Sequence, residues 1–559
     1  MLHLLLESRA FSKKKIAYLP RTLVSTIVSL YYYVIIRDML KLFKIPFLLV
    51  LFFSTALLLG ATEVDSTERL YSLYHLPVYY LLSYDQIKMP QNDEPMGLLG
   101  LTFSTQIRPG FNAGIASYGA ITGNQGGLFT LGIAAAMHLK LMNKYFLEAG
   151  AFIGGGGGKV GTGDGLMIRR HVSLKYTLKR MKLGIQYSDI DFPDSQIHGQ
   201  QIGISLDLTT QFTFSNPGHI NQLFTDPRRV QWEGAGYINF NRYQLSFMQQ
   251  SYFQKAGTKN IAGVVQDGTL RLVGFEAARF LRPRLFILLK TAGAYGGIHH
   301  GYMDVLAGIG YLTPIIKNRI YIVGKLNLGA GGGGHVETGG GFLIESSLGI
   351  IYTLLPLFAI QVGGGYLNSL EGNLKTTSLT AQLCYRLELA QITEKKRNTH
   401  HAAKYFFQAW SIRIASQTYK RPERVNRIAS DDVHLVSVKA SRFFNTYLYL
   451  TGQGYSAYSG QYVGGLAVGL VGIGVQHKPL FKGHFTAHLE ILVGAAGGGH
   501  LALGEGAIMQ LMLGLTYQFN PIFGLQVSTG RIRAFRHQLE STVLDVGIIF
   551  NFTTLARLS

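Results

Sequence analysis

Three stretches of this chain share one pattern: a run of glycines, a basic residue, then alternating apolar residues that reach a tyrosine. They are "GGGGGKVGTGDGLMIRRHVSLKYTL" from Gly154, "GGGGHVETGGGFLIESSLGIIYTL" from Gly331 and "GGGHLALGEGAIMQLMLGLTYQF" from Gly497. Aligned on Lys159, His335 and His500, they lie 176 and 165 residues apart. That is too long for a solenoid unit and long enough for each copy to belong to a complete small domain. The first copy is not a phosphate loop, which needs Ser or Thr after its lysine and a helix behind it. Val160 follows Lys159, and "LMIRRHVSLKYTL" alternates as a strand does. The glycines are read as loop, serving flexibility and close packing.

The bulk composition agrees with a β-rich chain. Of 559 residues 47% are hydrophobic and 15% charged, with 68 Gly, 31 Tyr and 33 Phe. This is too apolar for disorder and too rich in glycine and aromatics for a bundle of membrane helices. Cys384 is the only cysteine, which excludes an internal disulfide and a cysteine-cluster metal site. The net charge of +21 comes with no nucleic-acid-binding motif, so basic loops facing an anionic lipid surface account for it better. Lipid is the expected partner; nucleic acid and cofactors are not expected.

Residues 39–61, "MLKLFKIPFLLVLFFSTALLLGA", have the basic start, apolar run and terminal Ala61 of a secretory signal peptide. Residues 1–38 read as a doubtful N-terminal extension from a start assigned too far upstream. The alternative is a pair of inner-membrane helices.

Beyond it, three units are expected at 77–214, 237–390 and 406–552. In the second, candidate strands run 242–252, 269–281, 285–295, 301–315, 319–330, 341–354, 358–367 and 377–390. Short connections such as Arg282-Pro283-Arg284 alternate with long ones such as "FQKAGTKNIAGVVQDG". Matched columns divide the faces. Leu174, Tyr176 and Leu178 align with Ile350, Tyr352 and Leu354, and with Leu515, Tyr517 and Phe519, as an apolar outer face. Inward columns carry charge: Thr102, Glu276 and Lys439 on the second strand stand against Ala149, Lys325 and Glu490 on the fifth. Neutral meets neutral and Glu meets Lys, as a narrow closed interior requires. Glu345 and Arg169 are further interior charges, while Ala151, Met167, Leu343 and Met512 in inward columns count against a wide aqueous lumen.

Short turns at one end, long loops at the other and aromatic girdles resemble Gram-negative outer-membrane β-barrel proteins. So does "DVGIIFNF" at Asp545 to Phe552, which has the form of their C-terminal assembly signal, although "TTLARLS" follows where the family's last aromatic usually ends the chain. "QIGISLDL" at Gln201 has the same form and "TAQLCYRL" at Thr380 a weaker one. The resemblance implies an all-β fold of transmembrane antiparallel β-barrels, placed in the outer membrane, with lipid, lipopolysaccharide and the barrel-assembly machinery as partners. Three tandem eight-stranded barrels are the first reading and one 24-stranded, porin-like barrel the second.

Catalytic chemistry is not expected. Lipid A-modifying barrels suggest a look at Ser188, Asp189, Asp191 and His198 near the seventh strand of the first unit, but an adjacent His-Ser pair is absent there. The neighbours His299 and His300, and His400 and His401, would point to opposite faces of a strand and make poor metal sites. Lys420, Arg421, Arg424 and Arg427 form a basic loop in the third unit that could meet lipopolysaccharide phosphates.

Overall fold

The structure is a computed structural model that describes residues 71–558, except 159–162, 180, 219–222, 225–229, 233–235, 298–300, 317–318, 395–403, 481–482 and 537. The expected signal peptide and extension, Lys159, and both histidine pairs therefore lie outside the described residues. Among the described residues no helix is long and apolar enough to cross a membrane. The chain is built from antiparallel strands, in three runs of eight.

The first run is β1 (Tyr71–Ile87), β2 (Met96–Arg108), β3 (Phe111–Thr122), β4 (Phe129–Lys140), β5 (Tyr145–Gly157), β6 (Met167–Leu178), β7 (Met181–Asp191) and β8 (His198–Phe214). Two short strands follow, β9 (Leu223–Phe224) and β10 (Val230–Trp232). The second run is β11 (Tyr237–Gln254), β12 (Thr269–Phe280), β13 (Leu285–Gly297), β14 (Met303–Ile316), β15 (Ile320–Gly332), β16 (Phe342–Leu355), β17 (Phe358–Ser369) and β18 (Lys375–Thr393). The third is β19 (Lys404–Lys420), β20 (Val433–Phe443), β21 (Leu448–Ser459), β22 (Ala467–Gln476), β23 (Phe485–Gly497), β24 (Ala507–Gln518), β25 (Phe523–Ala534) and β26 (Glu540–Leu558).

Within each run every strand pairs with the next, and the ladder returns to its first strand. β1 is bonded to β8 from Tyr74↔Phe214 to Tyr84↔Ile204, β11 to β18 from Tyr237↔Thr393 to Gln254↔Thr376, and β19 to β26 from Lys404↔Leu558 to Lys420↔Thr542. These pairings leave no free sheet edge within a run, which removes the unpaired backbone groups that a lipid environment would not tolerate.

Alternation decides what each strand buries. Leu174, Ile350 and Leu515 are 51%, 55% and 47% exposed, and the aromatics Tyr352, Tyr517 and Phe519 are exposed beside them. Met167, Leu343 and Met512 point inward and are buried. Apolar groups therefore cover the outside while charges such as Glu276, Lys325, Lys439 and Glu490 lie buried within, the reverse of a soluble sandwich.

The inward column of the first run is a correction. Ala149 and Ala151 face outward and are exposed, and Glu148, Gly150 and Phe152 are the inward positions of β5. The reason is a loop one residue shorter. β5 ends at Gly157 two residues before Lys159, whereas β15 and β23 end at Gly332 and Gly497, three residues before His335 and His500. Aligning on the basic residue slips β5 by one, and a slip of one exchanges the faces.

First and last strands are longer than the sequence suggests because they continue past the short turns as two-stranded ribbons. Ribbon residues meet across the runs: Gln391 donates to Thr210 Oγ1 (3.2 Å), the Ser215 and Thr553 backbones exchange bonds of 2.8 and 2.9 Å, and Leu389 pairs with Ala556. They enclose an apolar cluster of Tyr71, Leu73, Phe224, Ile392, Phe407 and Leu555. Thr553–Leu558, the tail after Phe552, is one strand of the β19–β26 ribbon and is largely buried.

At the long-loop end the runs touch in a ring. The β3–β4 loop meets the loop after β15, where the Gly126 amide donates to Gly339 O (2.9 Å). The β21–β22 loop meets the loop after β5, with Gly464 donating to Gly163 O (3.0 Å) and Gly465 to Gly156 O (2.8 Å). The β13–β14 loop meets the loop after β23, where a Cβ on Gly497 would stand 2.1 Å from Gly301 Cα. Each contact joins the loop after a third strand to the loop after a fifth. The glycines let the backbones approach: Gly127 has φ +93°, and a Cβ there would lie 2.3 Å from Gly333 N.

In the same loop end, Asp164 lies beside Asp194, and partial burial with that second carboxylate raises its pKa to about 6. A carboxyl raised in the folded state binds its proton more tightly than in the unfolded chain. Its folded form is therefore favoured at low pH, and that advantage is lost as pH rises from about 4 to about 6, then stays lost. The hydrogen-exchange protection factor of the Gly464 amide, bonded to the neighbouring Gly163 O, should fall over that window in the native sequence and not in Asp164→Asn.

Candidate functional site

Each run places charged groups on inward positions, and they neutralise one another across its interior. In the second run Lys325 on β15 reaches Glu276 on β12, Nζ to Oε1 at 2.6 Å and to Oε2 at 2.8 Å, and Gln382 on β18 donates to the same carboxylate (3.3 Å). A second cluster lies further toward the loops. Glu345 accepts from Lys290 (2.9 Å), Asn327 (2.8 Å) and Gln250 (2.8 Å), and Tyr252 donates to Asp304 (2.8 Å).

The third run repeats the pairing with the charges exchanged. Lys439 on β20 donates to both oxygens of Glu490 on β23, and Tyr449 donates to Glu490 Oε1 (2.8 Å). Arg413 on β19 binds Asp545 on β26 at 2.7 Å. His488 stands beside Gln526 (2.8 Å) and Ser528 (3.2 Å).

In the first run the charges occupy other levels. Arg169 on β6 donates from Nε to Asp85 on β1 (3.0 Å), which also accepts from Gln186 (3.0 Å) and Ser188 (2.8 Å). Lys175 bridges Glu148 and Asp207 at 2.7 Å each, and His171 and His138 lie 3.0 Å from the Glu148 carboxylate.

Thus Glu276 meets Lys325, Lys439 meets Glu490, and Arg169 and Glu345 each join a network. The sequence reading missed Asp85, Glu148, Lys175, Asp207, Lys290, Asp304, Arg413 and Asp545. Each is a charge on the inward parity of an apolar strand, so the signal was present. It required the correct register and one more strand pair per column.

The cavities found in the first and second runs are small. A cavity of about 30 Å³ adjoins Tyr118, His138, Glu148, His171, Lys175 and Asp207, and one of about 20 Å³ adjoins Glu276, Lys290, Lys325 and Glu345. Either has room for about one water. Among the described residues no group of three His, Cys, Asp or Glu is disposed to hold a metal, and Cys384 is buried against apolar neighbours in the second run.

The residues considered for catalysis do not converge. Ser188 points inward to Asp85, Asp189 points outward to Arg170 (3.0 Å), and His198 is exposed at the start of β8, opposite Asp191. The basic loop of the third run is also dispersed. Lys420 is bonded to Asp432 (2.6 Å), and the backbone amide of Arg421 to the same carboxylate (3.1 Å). Arg427 is exposed. Arg424 is a correction: it is 4% exposed, bound to Asp431 (3.1 Å) and Gly499 O (3.1 Å), and faces no external phosphate.

No family model matches the chain, and no curated protein does. Solved structures do overlay on it. They include the outer membrane protein OpdK of Pseudomonas aeruginosa, 10% identical, covering 86% of this chain and 98% of its own, TM-score 0.22. The ferric enterobactin receptor PfeA of the same organism is 8% identical, covering 85% and 81%, TM-score 0.27. OccAB3 of Acinetobacter baumannii is 10% identical, covering 86% and 98%, TM-score 0.19. Overlays this loose carry no argument about this chain, whose class rests on its own pairings and faces: an antiparallel β-barrel protein with an apolar exterior.

Proposed function

We propose that the chain is an outer-membrane protein of a Gram-negative bacterium, made of three tandem eight-stranded barrels spanning 77–214, 237–390 and 406–552, with a structural, lipid-contacting role and no catalysis. The observation that carries this reading is the Lys325–Glu276 contact of 2.6 Å between strands three apart in sequence order. Such a contact needs an interior narrow enough for facing walls to touch, which is the width of an eight-stranded barrel. The pairings of β1 with β8, β11 with β18 and β19 with β26 support it, as does the apolar exterior. The final strand motif "DVGIIFNF" supports delivery by the barrel-assembly machinery.

The second reading is a porin-like channel in one 24-stranded barrel. It would leave Glu276 and Lys325 hydrated on one wall, and the filled interiors weigh against it. The test is to refold residues 62–559 in detergent and reconstitute them in planar bilayers. A heat-modifiable species without stable ion conductance is expected. A large, stable conductance from the same preparation would replace this reading with the channel.

A further inference from the structure

The short turns of the second run gather arginines. At the long-loop end some exposed cations have carboxylate partners, Arg170 with Asp189 (3.0 Å), Lys420 with Asp432 (2.6 Å), Arg531 with Glu540 (3.1 Å) and Arg536 with Glu505 (3.4 Å), while Lys255, Lys259, Arg271, Lys375, Arg427 and Arg533 stand exposed without a salt bridge among the described residues. At the short-turn end of the second run stand Arg242, Arg279, Arg282, Arg284, Arg319 and Arg386, and among the described residues none of them has a salt-bridge partner. Glu388, two residues along β18 from Arg386, is taken by Arg557 at 2.6 Å.

The contacts these arginines do make are with uncharged groups. Arg242 lies 3.8 Å over the Phe280 ring and donates to the Pro283 carbonyl. Arg386 lies 5.7 Å over the Tyr321 ring and donates to Thr353 Oγ1 (2.8 Å). Arg282, Arg284 and Arg319 are exposed. Tyr311 and Tyr352, at the turn ends of β14 and β16, face outward and are exposed as an aromatic girdle would be at a membrane interface. In this collar Glu388, opposite Arg242, is already bound to Arg557, so six arginines share little internal negative charge and an external anion would balance them. A guanidinium fork matches phosphate oxygens in geometry.

We propose that this arginine collar binds the phosphodiester headgroups of anionic phospholipid in the leaflet on the short-turn side. The inference rests on the membrane-embedded reading above and names the lipid chemistry that this reading leaves open.

The test uses the mature chain, residues 62–559, reconstituted in vesicles of phosphatidylcholine with phosphatidylglycerol and, separately, with lipopolysaccharide. Bound lipid is read by native mass spectrometry after extraction in mild detergent. Retained phosphatidylglycerol should exceed its share of the mixture, decline at high salt, and fall about fivefold for each cation removed by Arg282→Gln, Arg284→Gln and Arg319→Gln. The loop-end variant Arg531→Gln with Arg536→Gln should keep it. Retention in proportion to the mixture overturns the proposal, as does an equal loss in the loop-end variant. Lipopolysaccharide held by the collar in place of phosphatidylglycerol also overturns it. Failure of a heat-modifiable chain to enter any vesicle would bring down the membrane reading itself, and the collar with it.

Discussion

Lys325→Ala lowers the stability of the second run by roughly 3 to 5 kcal/mol, because it leaves the Glu276 carboxylate buried without its cation. Both groups are nearly inaccessible, and the lysine supplies both short contacts to that carboxylate. Gln382, the remaining donor at 3.3 Å, is neutral and cannot replace the charge. Adding Glu276→Ala removes the stranded charge, so the double variant recovers much of the loss, and the coupling between the two sites is large. In a wide hydrated channel the two substitutions would instead have small, additive effects. Urea titration of the refolded chain, followed by heat-modifiable migration, separates these outcomes. Two small losses that sum in the double variant would sink the closed-barrel account.

The faces of the strands were legible because period two is a strong signal when lipid covers one side. Leu174, Ile350 and Leu515 could be placed outside from alternation alone. Complementary charges at matched columns made the Glu276–Lys325 and Lys439–Glu490 pairs readable before any pairing of β11 with β18 or β19 with β26 was known. The first run resisted because its register hung on one loop residue. With β5 slipped, Glu148 fell on the outer face, and its partners Lys175 and Asp207 had nothing to answer. The ribbons were hidden for another reason: Phe240, Tyr405 and Phe407 alternate like a girdle, and what marks them as a buried cluster is contact between segments more than 150 residues apart. Nor does a run of basic residues reveal that Arg424 folds back against Gly499 while Arg427 stays in solvent.

The glycine stretches are explained by contact between the three runs of strands, and Gly497 is where that account is most exposed to test. A Cβ there would stand 2.1 Å from Gly301 Cα, and because the obstacle is backbone, no side-chain rotation relieves it. Gly497→Val must therefore push the loop after β23 away from the loop after β13, at a cost of roughly 1 to 3 kcal/mol of the kind that overpacking imposes. The runs themselves keep their ladders, so heat-modifiable migration should persist. What should fail is proximity between runs. An ideal Cβ on Gly293 lies 3.6 Å from Ala495 Cβ, within the range a disulfide spans, so Gly293→Cys with Ala495→Cys should cross-link in the otherwise native chain. The buried Cys384 should not interfere. In the Gly497→Val background the cross-link yield should drop severalfold. Gly469→Ala, whose new methyl meets nothing within 4 Å, should leave both yield and stability unchanged. Full cross-linking in Gly497→Val would mean that the second and third runs are held together elsewhere, with the ribbons at the turn end as the remaining join, and the glycine loops would then be fillers between runs already fixed in place.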